Sequence, residues 1–272
     1  MLSDLVKRFR DRSVPVVLEQ VSAKLFDGRV DVPVVPFEKI SDEIDLLVVL
    51  GGDGTILWVL RQLQDRIRPL AAINTGTLGF LTCATQDESE GLVDAVATGR
   101  CVQTERVVIQ GLFVPVKGEP IEFVGLNEVT LCRGADSRVV HVEAFLDGKA
   151  ANRYTGDGLI LATPTGSTAY SLSAGGPLVQ PGASVFVLTP ICPHTLANRP
   201  LVIDADNEVV FEAPEQRDDL SLLVDGQLIA TISDRASVRM RRAEFRLPLV
   251  SMPGQDFFDV LHQKMGWTGS TV

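Results

Sequence analysis

Residues 44–60, Ile44-Asp45-Leu46-Leu47-Val48-Val49-Leu50-Gly51-Gly52-Asp53-Gly54-Thr55-Ile56-Leu57-Trp58-Val59-Leu60, set an apolar run, a glycine turn and a second apolar run in direct succession. That order reads as strand, loop and helix, the repeating unit of an α/β sheet. Glycine at 51, 52 and 54 lets the backbone take positive φ and come close to a ligand, and unpaired N–H groups at the start of the next helix favour an anion. The loop also follows the carboxyl end of a strand, where ligands settle in open α/β sheets. Asp53 is foreign to a simple phosphate cradle. A carboxylate there is electrostatically unfavourable unless it takes a proton from an attacking group or meets a metal, so the loop reads as one for phosphoryl transfer. The bland alternative is a tight Asp-Gly turn joining strand to helix. No G-x-x-x-x-G-K-[ST] string and no G-x-G-x-x-G opening a helix occurs, which excludes Walker-type and Rossmann-fingerprint binding.

Working outward, the chain has 272 residues, 45% hydrophobic and 22% charged, enough for one large or two modest domains. The net charge of −10 argues against nucleic acid and against an anionic membrane, so a small partner is expected, with local positive groups drawing in any polyanion. Cysteines 83, 101, 132 and 192 form no C-x-x-C pair and lack zinc-site histidines, as expected for free thiols in a reducing compartment. No apolar stretch reaches the ~18 residues of a membrane span, and MLSDLVKRFRDR lacks the apolar core of a signal peptide. These features point to a cytoplasmic protein.

Residues 1–12 read as an amphipathic helix with Leu2, Leu5, Val6 and Phe9 on one face, followed by a short strand over 14–18. Doubly wound domains usually open on a strand, so the expectation is that either this one has lost its first strand or the start is shortened. Leu70-Ala71-Ala72-Ile73 reads as a further strand and the acidic segment 87–96 as a helix. After Gly99 the segments 104–114, 121–132, 138–147, 200–212, 220–232 and 236–247 read as β, separated by turns such as Lys117-Gly118, Asp147-Gly148 and Asp225-Gly226. The expected fold is a doubly wound α/β N-terminal domain over 1–103, followed by a mostly antiparallel β-sandwich domain over 104–249. The tail 250–272 is expected to dock back onto the first domain. The glycine-dense stretch 156–182 reads as an insertion that makes a binding surface, with a short helix over Thr168–Ala174.

Asn127-Glu128 closes an apolar strand and offers an amide and a carboxylate to a polyhydroxylated ligand such as ribose; standing alone it would be a solvated strand end. The string Thr155 to Pro177 combines glycines, small hydroxyl residues and Tyr170, an inventory that suits a nucleotide. His141, His194 and His262 read as structural residues and Trp58 as helix core.

These strings resemble the NAD kinase family, ATP- or polyphosphate-dependent enzymes that make NADP from NAD. The matching residues are Gly51–Thr55, Asn74–Leu81, Asn127-Glu128, Asp157–Pro177, Pro193-His194 with Arg199-Pro200, Asp225-Gly226-Gln227 and Lys264-Met265-Gly266-Trp267. The first of them alone is shared with lipid kinases and, more loosely, with phosphofructokinases, whose fold the first domain should then follow. The resemblance implies transfer of the terminal phosphoryl group to the 2′-hydroxyl of the adenosine ribose. In that reading Asp53 matches the proton acceptor, with Gly54 beside it on the same ligand. Asn127 and Glu128 match residues holding the adenosine part. Asp157 and the run Thr168, Ala169, Tyr170, Ser171, Leu172 and Ser173 match the rest of the dinucleotide pocket, Gln227 a further contact and Arg138 a polar one. Thr155 stands where family members carry arginine or glycine, at a position associated with donor choice and with NAD against NADH. The resemblance further implies a divalent cation, Mg2+, carried with ATP rather than held in a protein metal site, and a homodimer or homotetramer. Two other readings compete: a lipid or other small-alcohol kinase, and a non-catalytic NAD sensor.

Overall fold

The computed structural model describes residues 1–26, 31–76, 79–134, 139–195, 197–214, 219–232 and 235–266. The chain forms two compact units, one of Met1–Glu105 with the chain from Leu247 onward, the other of Arg106–Arg246.

The first unit is α/β. Its strand Leu70–Asn74 is buried at every residue and pairs in parallel with Leu47–Leu50, Leu47 opposite Leu70 and Leu50 opposite Ile73. Burial on both faces accounts for the unbroken apolar run Leu70–Ile73. Helix Asp53–Leu63 follows the first of these strands within two residues and buries Ile56, Leu57, Val59, Leu60 and Leu63. Trp58 does not join that core as expected: it lies on the outer face, 45% exposed, with its ring 4.9 Å from that of Phe37. The opening helix, Leu2–Asp11, buries Leu5, Val6 and Phe9, and Leu5 and Phe9 pack with Leu92 and Val93 of helix Ser89–Ala97. The sheet is completed from the far end of the chain. Strand Leu247–Ser251 lies between Leu70–Asn74 and Val102–Arg106, parallel to the former. The β segment expected over 236–247 therefore ends at Arg242, and Leu247 begins a strand of the other unit.

The second unit is two antiparallel six-stranded sheets. In one, Lys149–Gly156, Val140–Leu146, Val209–Ala213, Ala236–Arg242, Ile109–Pro115 and Ile121–Gly125 are neighbours in that order. In the other the order is Leu201–Asp204, Val185–Ile191, Gly158–Ala162, Glu128–Arg133, Leu220–Val224 and Gln227–Ile232. Alternate residues from both sheets share one core, for example Val140, Val142 and Ala144 with Leu220, Leu222 and Val224, around the fully buried Phe186 and Phe211. The second sheet is covered on its outer side too, where Ile160, Ala162, Val187 and Ile191 meet Ala174 and Val179.

This arrangement corrects the reading of 156–182 as an insertion. Its first part, Gly158–Ala162, is an interior strand paired on both sides. Several of the glycines there serve packing. A Cβ at Gly158 would come within 2.6 Å of the Leu131 carbonyl oxygen, one at Gly156 within 2.7 Å of that of Ile191, and one at Gly166 would strike the Asn127 backbone. The expected short helix is a 3-10 turn, Thr165–Thr168, followed by one helical turn, Tyr170–Ser173.

Phe211→Ala should empty the centre of the sandwich and lower unfolding free energy by roughly 3–5 kcal/mol, read from denaturant titrations followed by far-UV circular dichroism.

Candidate active site

In the first unit the Gly51–Thr55 loop turns directly into helix Asp53–Leu63. No side chain caps this helix at Gly52, so its first N–H groups keep the positive end of the helix dipole available. None of the three loop glycines takes the positive φ expected of them. Their value is steric. A side chain at Gly51 would collide with that of Thr55, whereas added Cβ atoms at Gly52 and Gly54 would meet nothing within 4 Å. The latter two thus leave the backbone bare beside the helix terminus.

Asp53 is the first residue of that helix, and its carboxylate is held from across the loop that follows strand Leu70–Asn74. The N–H of Phe80 donates to Oδ2 at 2.9 Å and that of Leu81 to Oδ1 at 3.1 Å. The approach is so close that a side chain at Gly79 would strike the carboxylate. The loop is fixed in turn by buried polar residues: Asn74 Oδ1 accepts from the Gly76 N–H at 2.6 Å, and Thr82 Oγ1 from the Gly79 N–H at 3.1 Å. Each Asp53 oxygen retains a further lone pair, so the carboxylate is oriented yet still able to accept a proton.

In the second unit the turn Leu126-Asn127-Glu128 is bonded to Asp225, Thr163 and Tyr170. Asp225, at the tip of the hairpin between Leu220–Val224 and Gln227–Ile232, takes φ 48° with Gly226 at φ 75°, the paired positive angles of a tight two-residue hairpin turn. Its carboxylate accepts from the N–H groups of Leu126 at 3.0 Å, Asn127 at 2.7 Å and Glu128 at 3.2 Å. Thr163 adds a second clamp, its N–H donating to the Asn127 carbonyl at 2.9 Å and its hydroxyl to that of Leu126. Gln227 is exposed beside the hairpin tip.

Glu128 is the anomaly of this set. It is 5% exposed, and its Oε2 is buried with no hydrogen-bond partner. Burial, then the nearby Asp225 charge, push its carboxyl up to about 7 against the single opposing N–H bond from Tyr170. Three backbone donors serve Asp225 and one serves Glu128, which places the unmet polar demand on Glu128. A ligand hydroxyl would satisfy it.

Tyr170 joins two parts of this unit. Its backbone N–H donates to Glu128, while its hydroxyl feels Cys132, Cys192, Asp157 and Arg133. Asp157 pairs with Arg133, Oδ1 to Nε, at 3.2 Å. The ring is partly exposed, offering a flat face. Thr168 and Ala169 are half-buried before it, and Leu172 and Ser173 follow on the same turn. Ser171 is fully buried, with its Oγ 2.8 Å from Thr189 Oγ1, tying the turn to strand Val185–Ile191. Thr155 engages His141 Nδ1 through its hydroxyl at 2.9 Å. Arg138 lies outside the described residues.

Sequence alone assigns no role to Phe80, Leu81, Asp225 or Thr163. Asp225 stood in a recognisable Asp-Gly turn, but a turn residue's side-chain target is not written locally. Phe80 and Leu81 act through backbone N–H groups, which leave no trace in residue type.

The ATP-NAD kinase N-terminal domain model matches residues 8–101 and the ATP-NAD kinase C-terminal domain model residues 126–252. An NAD kinase of Gemmatimonas aurantiaca is 42% identical over 83% of this chain and 78% of its own. Among solved structures, a yeast NADH kinase complexed with NADH aligns with a TM-score of 0.88 at 27% identity, covering 98% of this chain and 84% of that one. An NAD kinase from Archaeoglobus fulgidus in complex with ATP aligns with a TM-score of 0.71 at 28% identity, covering 93% and 98%.

The state of Glu128 predicts a stability signature. Its folded value near 7 lies above the ordinary 4.5, so the penalty is absent below about pH 4.5, grows between the two values and levels off above 7. Unfolding free energies of Glu128→Gln and the parent at pH 5 and pH 8 should diverge in favour of glutamine at the higher pH, by up to about 3 kcal/mol.

Proposed function

The chain belongs to the NAD kinase family, and on that premise we propose that it transfers the terminal phosphoryl group of ATP or polyphosphate to the 2′-hydroxyl of the adenosine ribose of NAD, with Asp53 as general base. The observation that carries this reading is the Asp53 carboxylate, held by the Phe80 and Leu81 N–H groups at the mouth of a helix whose flanking glycines carry no side chain. An inert binding loop has no use for such a carboxylate, and a membrane-directed lipid kinase fits poorly with a net charge of −10.

The chemistry follows from positioning. The ribose oxygen attacks phosphorus in line, its proton passes to Asp53, and the bond to the leaving ADP or shortened polyphosphate breaks. The bare backbone at Gly52 and Gly54, with the helix N-terminus, favours the phosphate charge. Within the second unit taken by itself, Glu128 Oε2 is suited to accept a ribose hydroxyl, Asn127 to offer its amide and the Tyr170 ring to stack on a base. Asp157, Thr155, Gln227, Arg138 and residues 168–173 complete the proposed set. Among the described residues no three His, Cys, Asp or Glu side chains converge on a point. The donor set at the loop is one carboxylate already carrying two N–H bonds, which fits a divalent ion brought in on the nucleotide, for which we name Mg2+. Such an ion neutralises charge on the donor oxygens when bound.

Cytoplasmic location belongs to the same proposal, in keeping with four free cysteines. So does a homodimer or homotetramer. The outer strands Leu201–Asp204 and Gln227–Ile232 expose Leu201, Val202 and Leu228, unpaired edges of the kind that a second copy covers.

Incubated with ATP, Mg2+ and NAD, the protein should yield NADP, detected with a dehydrogenase that accepts only NADP; product from neither ATP nor polyphosphate while NAD still binds would point to a sensor. Asp53→Asn should cut kcat by ~100-fold or more with NAD binding retained. Light scattering at micromolar concentration should give a mass of two or four chains.

A further inference from the structure

The last described helix, Phe257–Met265, is firmly delimited. Asp256 and Asp259 form a reciprocal cap, each side chain accepting from the other's backbone N–H at 2.9 and 3.2 Å, and Gly266 ends the helix in the left-handed region at φ 58°. Yet Leu261 is its one buried residue. A helix capped at both ends but scarcely buried invites the question of what its exposed face does.

Lys264 gives an answer within the first unit. Its Nζ stands 4.7 Å from the centroid of the Phe80 ring. Phe80 is the residue whose N–H holds Asp53 Oδ2, and Gly79 before it is pressed so close to the same carboxylate that no side chain fits. The ammonium is thus one side chain removed from the backbone that orients the Asp53 carboxylate. A cation on a ring face restricts the rotamers of that ring, and the Phe80 ring hangs from the residue whose N–H bonds Asp53. An apolar residue at 264 could cover the ring equally well, so the charge is the informative part.

We propose that Lys264 is a positioning residue for phosphoryl transfer: its ammonium pins Phe80, and so fixes the backbone donors that hold the Asp53 carboxylate toward the attacking hydroxyl. This rests on the reading of Asp53 as general base. It assigns to the final helix a part in catalysis beyond closing the fold.

The test uses the full chain with Lys264→Met, Lys264→Arg and Phe80→Leu, the last removing the ring while keeping the backbone N–H. Lys264→Met should lower kcat about three- to five-fold, the scale of an exposed cation on an aromatic face, with KM for NAD and for ATP unchanged and thermal unfolding unaltered. Arginine, which also stacks on rings, should restore kcat. Combined with Phe80→Leu, Lys264→Met should cost nothing further. Wild-type kcat in Lys264→Met would overturn the proposal, as would a raised KM for ATP at constant kcat, which would make the lysine a direct phosphate contact. Asp53→Asn separates the two levels. If it stays fully active the base assignment itself fails, whereas a slow Asp53→Asn beside an unimpaired Lys264→Met removes the lysine's role alone.

Discussion

A carboxylate at an uncapped helix N-terminus, flanked by bare glycine backbone, keeps a single orientation only if donors are fixed around it. In the first unit that restraint comes from two successive backbone N–H groups, those of Phe80 and Leu81, on the oxygens of Asp53. Much of the local structure serves these bonds. Gly79 is bare because the carboxylate occupies the space of its Cβ, and Asn74 and Thr82 spend buried polar atoms on holding the intervening turn. The parallel pairing of Leu47–Leu50 with Leu70–Asn74 sets the two loops side by side at the carboxyl ends of neighbouring strands. Strand order therefore decides which backbone meets which acid.

The second unit repeats the device with a different outcome. Asp225 takes three consecutive N–H groups from the 126–128 turn, and that allotment leaves Glu128 short. One carboxylate is fully served and structural. The other is buried, sparsely bonded and shifted toward neutrality. Buried polar atoms without partners are rare in folded proteins because each costs free energy, and Glu128 Oε2 is one of the few among the described residues. The allotment of donors thus separates a carboxylate that ties the hairpin to the turn from one left short of partners.

Legibility in the sequence followed periodicity. Segments whose apolar spacing was unambiguous, such as the helix after Gly54 and the strand Leu70–Ile73, lie where spacing placed them. Strands without alternation were missed: Lys149–Gly156 is an outer strand of largely polar residues, and Gly158–Ala162 is an unbroken apolar run that begins on a glycine. Glycine misled in both directions. At 156, 158 and 166 it answers the crowding of neighbouring backbone, although its density suggested a ligand surface, and at 52 and 54 it opens space without using its freedom of φ. Trp58 was assigned to the core by its position in an apolar run, yet its size is accommodated on the outer face against Phe37. Loop and hairpin atoms that act through backbone N–H groups had no signal to read, since every residue but proline carries one.

The strand Leu247–Ser251, seated inside the first sheet, bears on the order of events at the ribosome. By the time it is translated, every residue of Arg106–Arg246 has already been made, and that segment holds all it needs for its own sandwich core. Residues 1–105 have no such independence, because an interior position of their sheet stays vacant until residues 247–251 have been added. Residues 106–246 can therefore complete their sheets from one continuous segment, whereas residues 1–105 cannot. A released chain cut after Arg246 would still carry every strand of the sandwich, but an α/β half lacking one interior strand.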